Sequence, residues 1–123
     1  MVAAAGRPNG GVLVDTWHLA RTPDGDALLG AVPGEHVTGL QVSDSPPVVG
    51  PEPDYAAAAM RHRRLPGEGG LDLAGIIRDL EARGCQAPIG VEVWSEALAA
   101  APPLSVAQRA GDALRALLAR ARG

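Results

Sequence analysis

Short apolar runs, each closing on an oxygen-bearing side chain, alternate along this chain with stretches of helical periodicity. The first, Gly11 to Thr16, reads Val12, Leu13, Val14 and then Asp15; the second, Val37 to Ser43, carries Gln41; the third, Ile89 to Trp94, carries Glu92. Runs this short and this apolar predict strands covered on both faces. A short helix is expected between Asp24 and Val32. Another helical turn or two is expected over Tyr55 to His62, inside a long loop that begins at Asp44, Ser45, Pro46 and Pro47 and runs to Gly70. Leu73, Ile76, Ile77 and Leu80 recur at i, i+3, i+4 and i+7, which predicts a helix from Leu71 to Arg83 stopped by Gly84. A last helix is expected from Ser105, read as its N-cap, to about Ala121, with Val106, Ala110, Ala113, Leu114 and Leu117 on one stripe.

Strands alternating with helices in this order predict parallel βαβ units. At 123 residues the chain is too short for a complete (β/α)8 barrel, which takes roughly 250. The expected fold class is therefore α/β, a partial (β/α)8 TIM barrel made of about the last three βα units, with residues 1–123 as one part-domain. Three such strands leave two open sheet edges, whose unpaired backbone groups invite a partner. The missing N-terminal part of a barrel and a homo-oligomer are the two expected ways to cover them.

Side chains alternate across a strand, so Leu13 and Asp15 share a face, as do Gly39 and Gln41, and Gly90 and Glu92. Each strand thus places one oxygen ligand at its C-terminal end, where parallel barrels carry their active sites. Leu13, Gly39 and Gly90 lie one layer below, two of them small enough to leave room above. Asp15, Gln41 and Glu92 offer two carboxylates and one amide oxygen, a set suited to a hard divalent ion such as Mg²⁺ or Mn²⁺. Zinc ordinarily takes more nitrogen or sulfur.

Composition narrows the alternatives. The chain is 46% hydrophobic and 20% charged, with a net charge of −3, which disfavours nucleic-acid binding through a basic face. A lone cysteine, Cys85, excludes a disulfide framework within the chain and suits a reducing cytoplasm. No apolar run approaches the ~20 residues of a membrane span, and Met1 to Ala5 is too short for a signal-peptide core.

Asp15, Thr16, Trp17, His18 resembles the Asp-x-x-His motif of the sugar phosphate isomerases and epimerases. These belong to the xylose isomerase-like barrel superfamily, the AP endonuclease 2 family. Arg63, Arg64, Leu65, Pro66, Gly67, Glu68, Gly69 resembles their Arg-x-x-Pro-Gly-x-Gly loop, and Glu92 within Val91, Glu92, Val93 matches their last-strand glutamate. With Gln41, Val42, Ser43 and Asp44, the matches come in the family's order over nearly the whole chain. The resemblance implies metal binding by Asp15, Gln41 and Glu92, with a fourth ligand, a glutamate from an earlier strand, lying outside this sequence. It implies substrate contacts by His18 and Arg63, and Glu92 as a general acid or base that moves a proton beside the carbonyl of a sugar-like small molecule. Trp17 and Trp94 are candidate pocket walls.

Gln41 departs from the histidine usual at that position. It is similar in this to the 3-dehydroshikimate dehydratases, so a lyase on the same barrel is the enzymatic alternative. A non-catalytic truncated or split-gene product is the alternative of another class. An abasic-site endonuclease would need more histidines and more positive charge than this chain carries.

Overall fold

The computed structural model describes residues 4, 6–47 and 51–123; the expectations for residues 1–3, 5 and 48–50 lie outside them. Three parallel strands form one sheet in the order β1 (Val12–Asp15), β2 (Val37–Val42), β3 (Ile89–Val91). A short helix α1 (Thr16–Leu19) follows β1 directly, then α2 (Gly25–Gly30) and a 3-10 turn at Gly34–His36. After β2 come α3 (Tyr55–Arg61) and α4 (Leu73–Ala82); after β3 come α5 (Glu96–Ala99) and the long α6 (Pro103–Arg122). The alternation expected from the sequence is that of a partial TIM barrel.

One face of the sheet is covered by helices. Val14, Leu40 and Val42 are buried with Leu73, Ile77 and Leu80 of α4 and Leu117 and Ala121 of α6 in a single core cluster. Ile77 is fully enclosed, and burying such a side chain is worth about 1.5–3 kcal/mol. The i, i+3, i+4, i+7 stripe of α4 is what brings these residues onto the sheet. Asp72 caps α4 by accepting from the Gly75 amide at 2.9 Å. At the other end Gly84 takes φ 84° and Cys85 N–H donates back to Leu80 O at 3.0 Å, a glycine-dependent helix stop. Cys85 is half-buried and unbonded. No helix among the described residues is long and apolar enough to cross a membrane.

The register sets the other face. Leu13 pairs with Gly39, Asp15 with Gln41 and Gln41 with Gly90. The space expected over Gly39 is partly taken by Leu13, whose Cδ1 would lie 2.7 Å from a Cβ built there.

Two elements differ from expectation. Ser105 is not the N-cap of the last helix: α6 starts at Pro103 with Pro102 before it, because proline's fixed φ suits the first helical position, where no N–H is needed. The third strand ends at Val91 rather than Trp94. Beyond Glu92 the backbone turns to the loop that follows β2, where Arg63 N–H donates to Trp94 O at 3.1 Å and His62 bridges Ser95.

Candidate active site

Asp15 ends β1 and caps α1 at once. Its Oδ1 accepts from the Trp17 and His18 amides at 2.9 and 3.1 Å, so the chain turns from strand to helix immediately at the acid. That turn carries His18 to the same side as the Asp15 carboxylate. Thr16, fully buried, ties β1 to the end of β2: its Oγ1 donates to Ser43 O at 2.8 Å and accepts from Ser43 N at 3.0 Å.

Arg63 enters from the loop after α3 and holds the site together. Its side chain is 4% exposed, and every nitrogen of the guanidinium is engaged. Nε donates to Ala59 O at 2.8 Å, Nη1 to Asp15 Oδ2 at 2.8 Å and to Glu92 Oε2 at 3.5 Å, and Nη2 approaches His18 Nε2 at 3.2 Å. Glu92 lies one residue past β3, where its amide still bonds Val42 O at 3.1 Å; it is two residues beyond Gly90, the partner of Gln41, and so stands one layer above Gln41 on the same face. A groove of about 470 Å³ is lined by Asp15, His18, Gln41 and Glu92 together with Leu13 and Leu28. A larger hollow of about 700 Å³, lined by residues of α2 and α4, contains none of these side chains.

Burial pushes the Asp15 carboxyl up, but the Arg63 hydrogen bond, the His18 amide and the nearby positive charge outweigh it. The net position is below the usual carboxylate value. Asp15 is therefore an anion at neutral pH. The His18 ring is oriented from both sides. Because a guanidinium can only donate, Nε2 facing Arg63 must be the acceptor, which leaves the proton on Nδ1 for the Tyr55 hydroxyl. Tyr55 also stacks on the ring, with centroids 5.6 Å apart and planes 26° apart.

Asp15, His18, Arg63 and Glu92 are thus brought into direct contact, and Gln41 shares their groove. The tryptophans are placed differently. Trp17 is fully buried and does not line the groove; it packs edge-on against His18 and Tyr55, with the Arg21 guanidinium 3.8 Å and the Arg63 guanidinium 5.3 Å from its ring centroid. The indole lies beneath both cations, which withdraws it from the pocket wall. Trp94 is half-exposed and meets the site through its carbonyl on Arg63 N–H rather than through its ring.

Three contributors were not visible as such in the sequence. Tyr55 orients His18. Arg21, pulled below its ordinary pKa by burial, stacks on Trp17 and bonds Ser45 Oγ at 3.3 Å. Asp44, 1% exposed, accepts from Ser45 N at 2.9 Å, Gly67 N at 2.9 Å and Leu71 N at 3.1 Å, and its backbone exchanges two 2.8 Å bonds with Arg64. It clamps the Pro-Gly loop whose first residue is Arg63. Gly69 passes so close that a Cβ there would lie 2.2 Å from the Asp44 carboxylate, so the second glycine of the motif serves this approach.

Among the described residues no three His, Cys, Asp or Glu side chains gather as a metal cage; the oxygen donors are the Asp15 and Glu92 carboxylates and the Gln41 amide. They fit a hard cation on one direct observation. Asp15 Oδ2 and Glu92 Oε2 already converge on one positively charged atom, Arg63 Nη1.

The family model of the xylose isomerase-like TIM barrel matches residues 1–118. Two curated relatives are 3-dehydroshikimate dehydratases. That of Pseudomonas aeruginosa is 33% identical over 119 residues and that of Pseudomonas putida 29% over 118, each alignment covering 96% of this chain. The chain spans 18% of the length of either relative. Among solved structures, the IolI protein with a binding zinc atom superposes with a TM-score of 0.83 at 18% identity, over 97% of this chain and 41% of that one.

Proposed function

Because this chain belongs to the xylose isomerase-like TIM barrel family, we propose that it carries the last three βα units of a divalent-metal site. In that reading the site removes a proton beside the carbonyl of a polyhydroxylated small molecule. Asp15, Gln41 and Glu92 are the metal ligands, with Mg²⁺ or Mn²⁺ as the ion. Such an ion, when bound, polarises the substrate carbonyl and acidifies the neighbouring C–H. Glu92, less buried than Asp15, is the carboxylate placed to take or return that proton. His18 and Arg63 orient substrate oxygens, the guanidinium through its planar fork. The observation that carries this reading is the convergence of both carboxylates on one cationic atom beside a groove of substrate size.

Between the two reactions that start with this proton, the lyase is favoured. Gln41 and the two dehydratase relatives support it. The whole activity is proposed for a barrel to which these units correspond, in a reducing, cytoplasmic setting, with a small molecule rather than nucleic acid as partner.

The test is product analysis in D₂O with Mn²⁺ on a whole barrel that contains these three βα units. Conversion of 3-dehydroshikimate to a dihydroxybenzoate, lost in Glu92→Gln, is the expected result. Deuterium uptake beside the carbonyl of a ketose phosphate without loss of water would replace the lyase with the isomerase or epimerase. Neither reaction, with Mn²⁺ bound, would remove the catalytic reading.

A further inference from the structure

The Asp15 carboxylate has one oxygen to give. Oδ1 is taken by the Trp17 and His18 amides that start α1, and withdrawing it would uncap the helix. Only Oδ2 is left for a metal, and Arg63 Nη1 holds it at 2.8 Å while also reaching Glu92 Oε2. This arginine is not a surface side chain resting in a chance position. Ala59 O fixes its Nε, His18 its Nη2, and the Trp17 ring lies beneath it.

We propose that Arg63 is a resident counter-ion whose guanidinium occupies the cation position of the site, so that Arg63 and a divalent ion compete for Asp15 Oδ2 and Glu92 Oε2. The inference rests on the metal reading above. Its physical basis is charge and geometry. With Arg63 in place the two carboxylates and one guanidinium sum to −1; without it the oxygens carry −2, and a divalent ion gains correspondingly. The buried Asp15 carboxylate and the partly exposed Glu92 carboxylate also repel one another unless a cation lies between them. Arg63 therefore keeps the ligands assembled before the ion arrives. Were Asp15 Oδ2 and Glu92 Oε2 to hold a divalent ion, Arg63 would give up its Nη1 bonds while the Nε bond to Ala59 O kept the side chain anchored, leaving the free end of the fork to a substrate oxygen.

Mn²⁺ calorimetry on the chain and on Arg63→Gln, which keeps length and polarity but removes the charge, tests this. Affinity at least about tenfold higher in the variant is expected. Should Arg63→Gln fail to fold, the unsubstituted chain answers the question by NMR: Mg²⁺ is expected to shift the Arg63 Nη signals while the Nε–H signal, held by Ala59 O, stays. Equal or weaker Mn²⁺ binding in Arg63→Gln, or Mg²⁺ binding that leaves the Arg63 Nη signals unmoved, overturns the competition and leaves the metal reading standing. An Asp15→Asn, Glu92→Gln double variant that binds Mn²⁺ as tightly as the unsubstituted chain overturns the metal reading, and the competition falls with it.

Discussion

Replacing Asp44 by alanine should be the most damaging polar substitution in this chain. The side chain is 1% exposed and joins the end of β2 to the loop that bears Arg63, through Gly67 N–H at 2.9 Å and Leu71 N–H at 3.1 Å, with a local bond from Ser45 N–H. A hydrogen bond to a charged group contributes about 1.5–3 kcal/mol, and a buried donor left without a partner costs about 1–3 kcal/mol. Relief from burying the carboxylate offsets part of this, and water entering the vacated space offsets more. Counting only the two long-range bonds and allowing for those offsets, Asp44→Ala should lose about 3–5 kcal/mol, in the range seen when one partner of a buried charged contact is removed. Against a total stability of about 5–15 kcal/mol that is a large share. Urea unfolding followed by far-UV circular dichroism should show the midpoint falling by roughly 2 M for an m-value near 1.5–2 kcal/mol/M. Asp44→Asn keeps one acceptor and should lose less. A loss below about 1 kcal/mol in Asp44→Ala would refute the argument that these amides depend on the carboxylate.

Three further outcomes are expected. Asp15 has its carboxyl lowered in the folded chain, so its contribution is fully present above the unfolded value near pH 4 and is lost as pH falls through the lower folded one; the stability of Asp15→Asn should fall less steeply below about pH 4, and parallel profiles would contradict the assignment. Gly69→Ala, whose new methyl meets a buried carboxylate and Ser45 O at 2.2 Å, should destabilise by more than about 2 kcal/mol, whereas Gly39→Ala meets only the movable end of Leu13 and should stay within about 1 kcal/mol; calorimetric melting that ranks them in the opposite order counts against the packing described. Finally, ¹⁵N NMR of the neutral His18 ring should find the Nδ1–H tautomer, since Arg63 offers Nε2 only a donor; an Nε2–H ring would mean that Arg63 does not face it.

The strand positions were legible because each is a short apolar run closing on a single oxygen donor, and alternation alone assigns Asp15, Gln41 and Glu92 to one face. The pairing of Asp15 with Gln41 and of Gln41 with Gly90 keeps all three on that face, but it sets Gly90, expected one layer below, level with Gln41 and raises Glu92 one layer above it. The α4 stripe was legible for the same periodic reason. What escaped was everything fixed at long range. The Asp44 partners stand 23 and 27 residues away and Tyr55 stands 37 from His18, so no local pattern announces them; only the proximity of Asp44 to a strand end and of glycines to Arg63 hinted at a clamp. β3 stops short of Val93 and Trp94 although both residue types favour strands, because Trp94 O serves Arg63 N–H instead of the sheet. Trp17 looked like a pocket wall beside the ligand acid, but two guanidinium groups claim its faces.

That last arrangement gives the molecule an internal optical reporter. Of the two tryptophans, Trp94 is about half in solvent while Trp17 is sealed in, with Arg21 and Arg63 close to its ring and Nε1 without a hydrogen-bond partner among the described residues. Positive charge near an indole ring shifts the colour of its emission, so the two residues should emit as distinct populations. With Trp94→Phe silencing the exposed one, the wavelength of the remaining emission becomes a readout of where the Arg63 guanidinium sits.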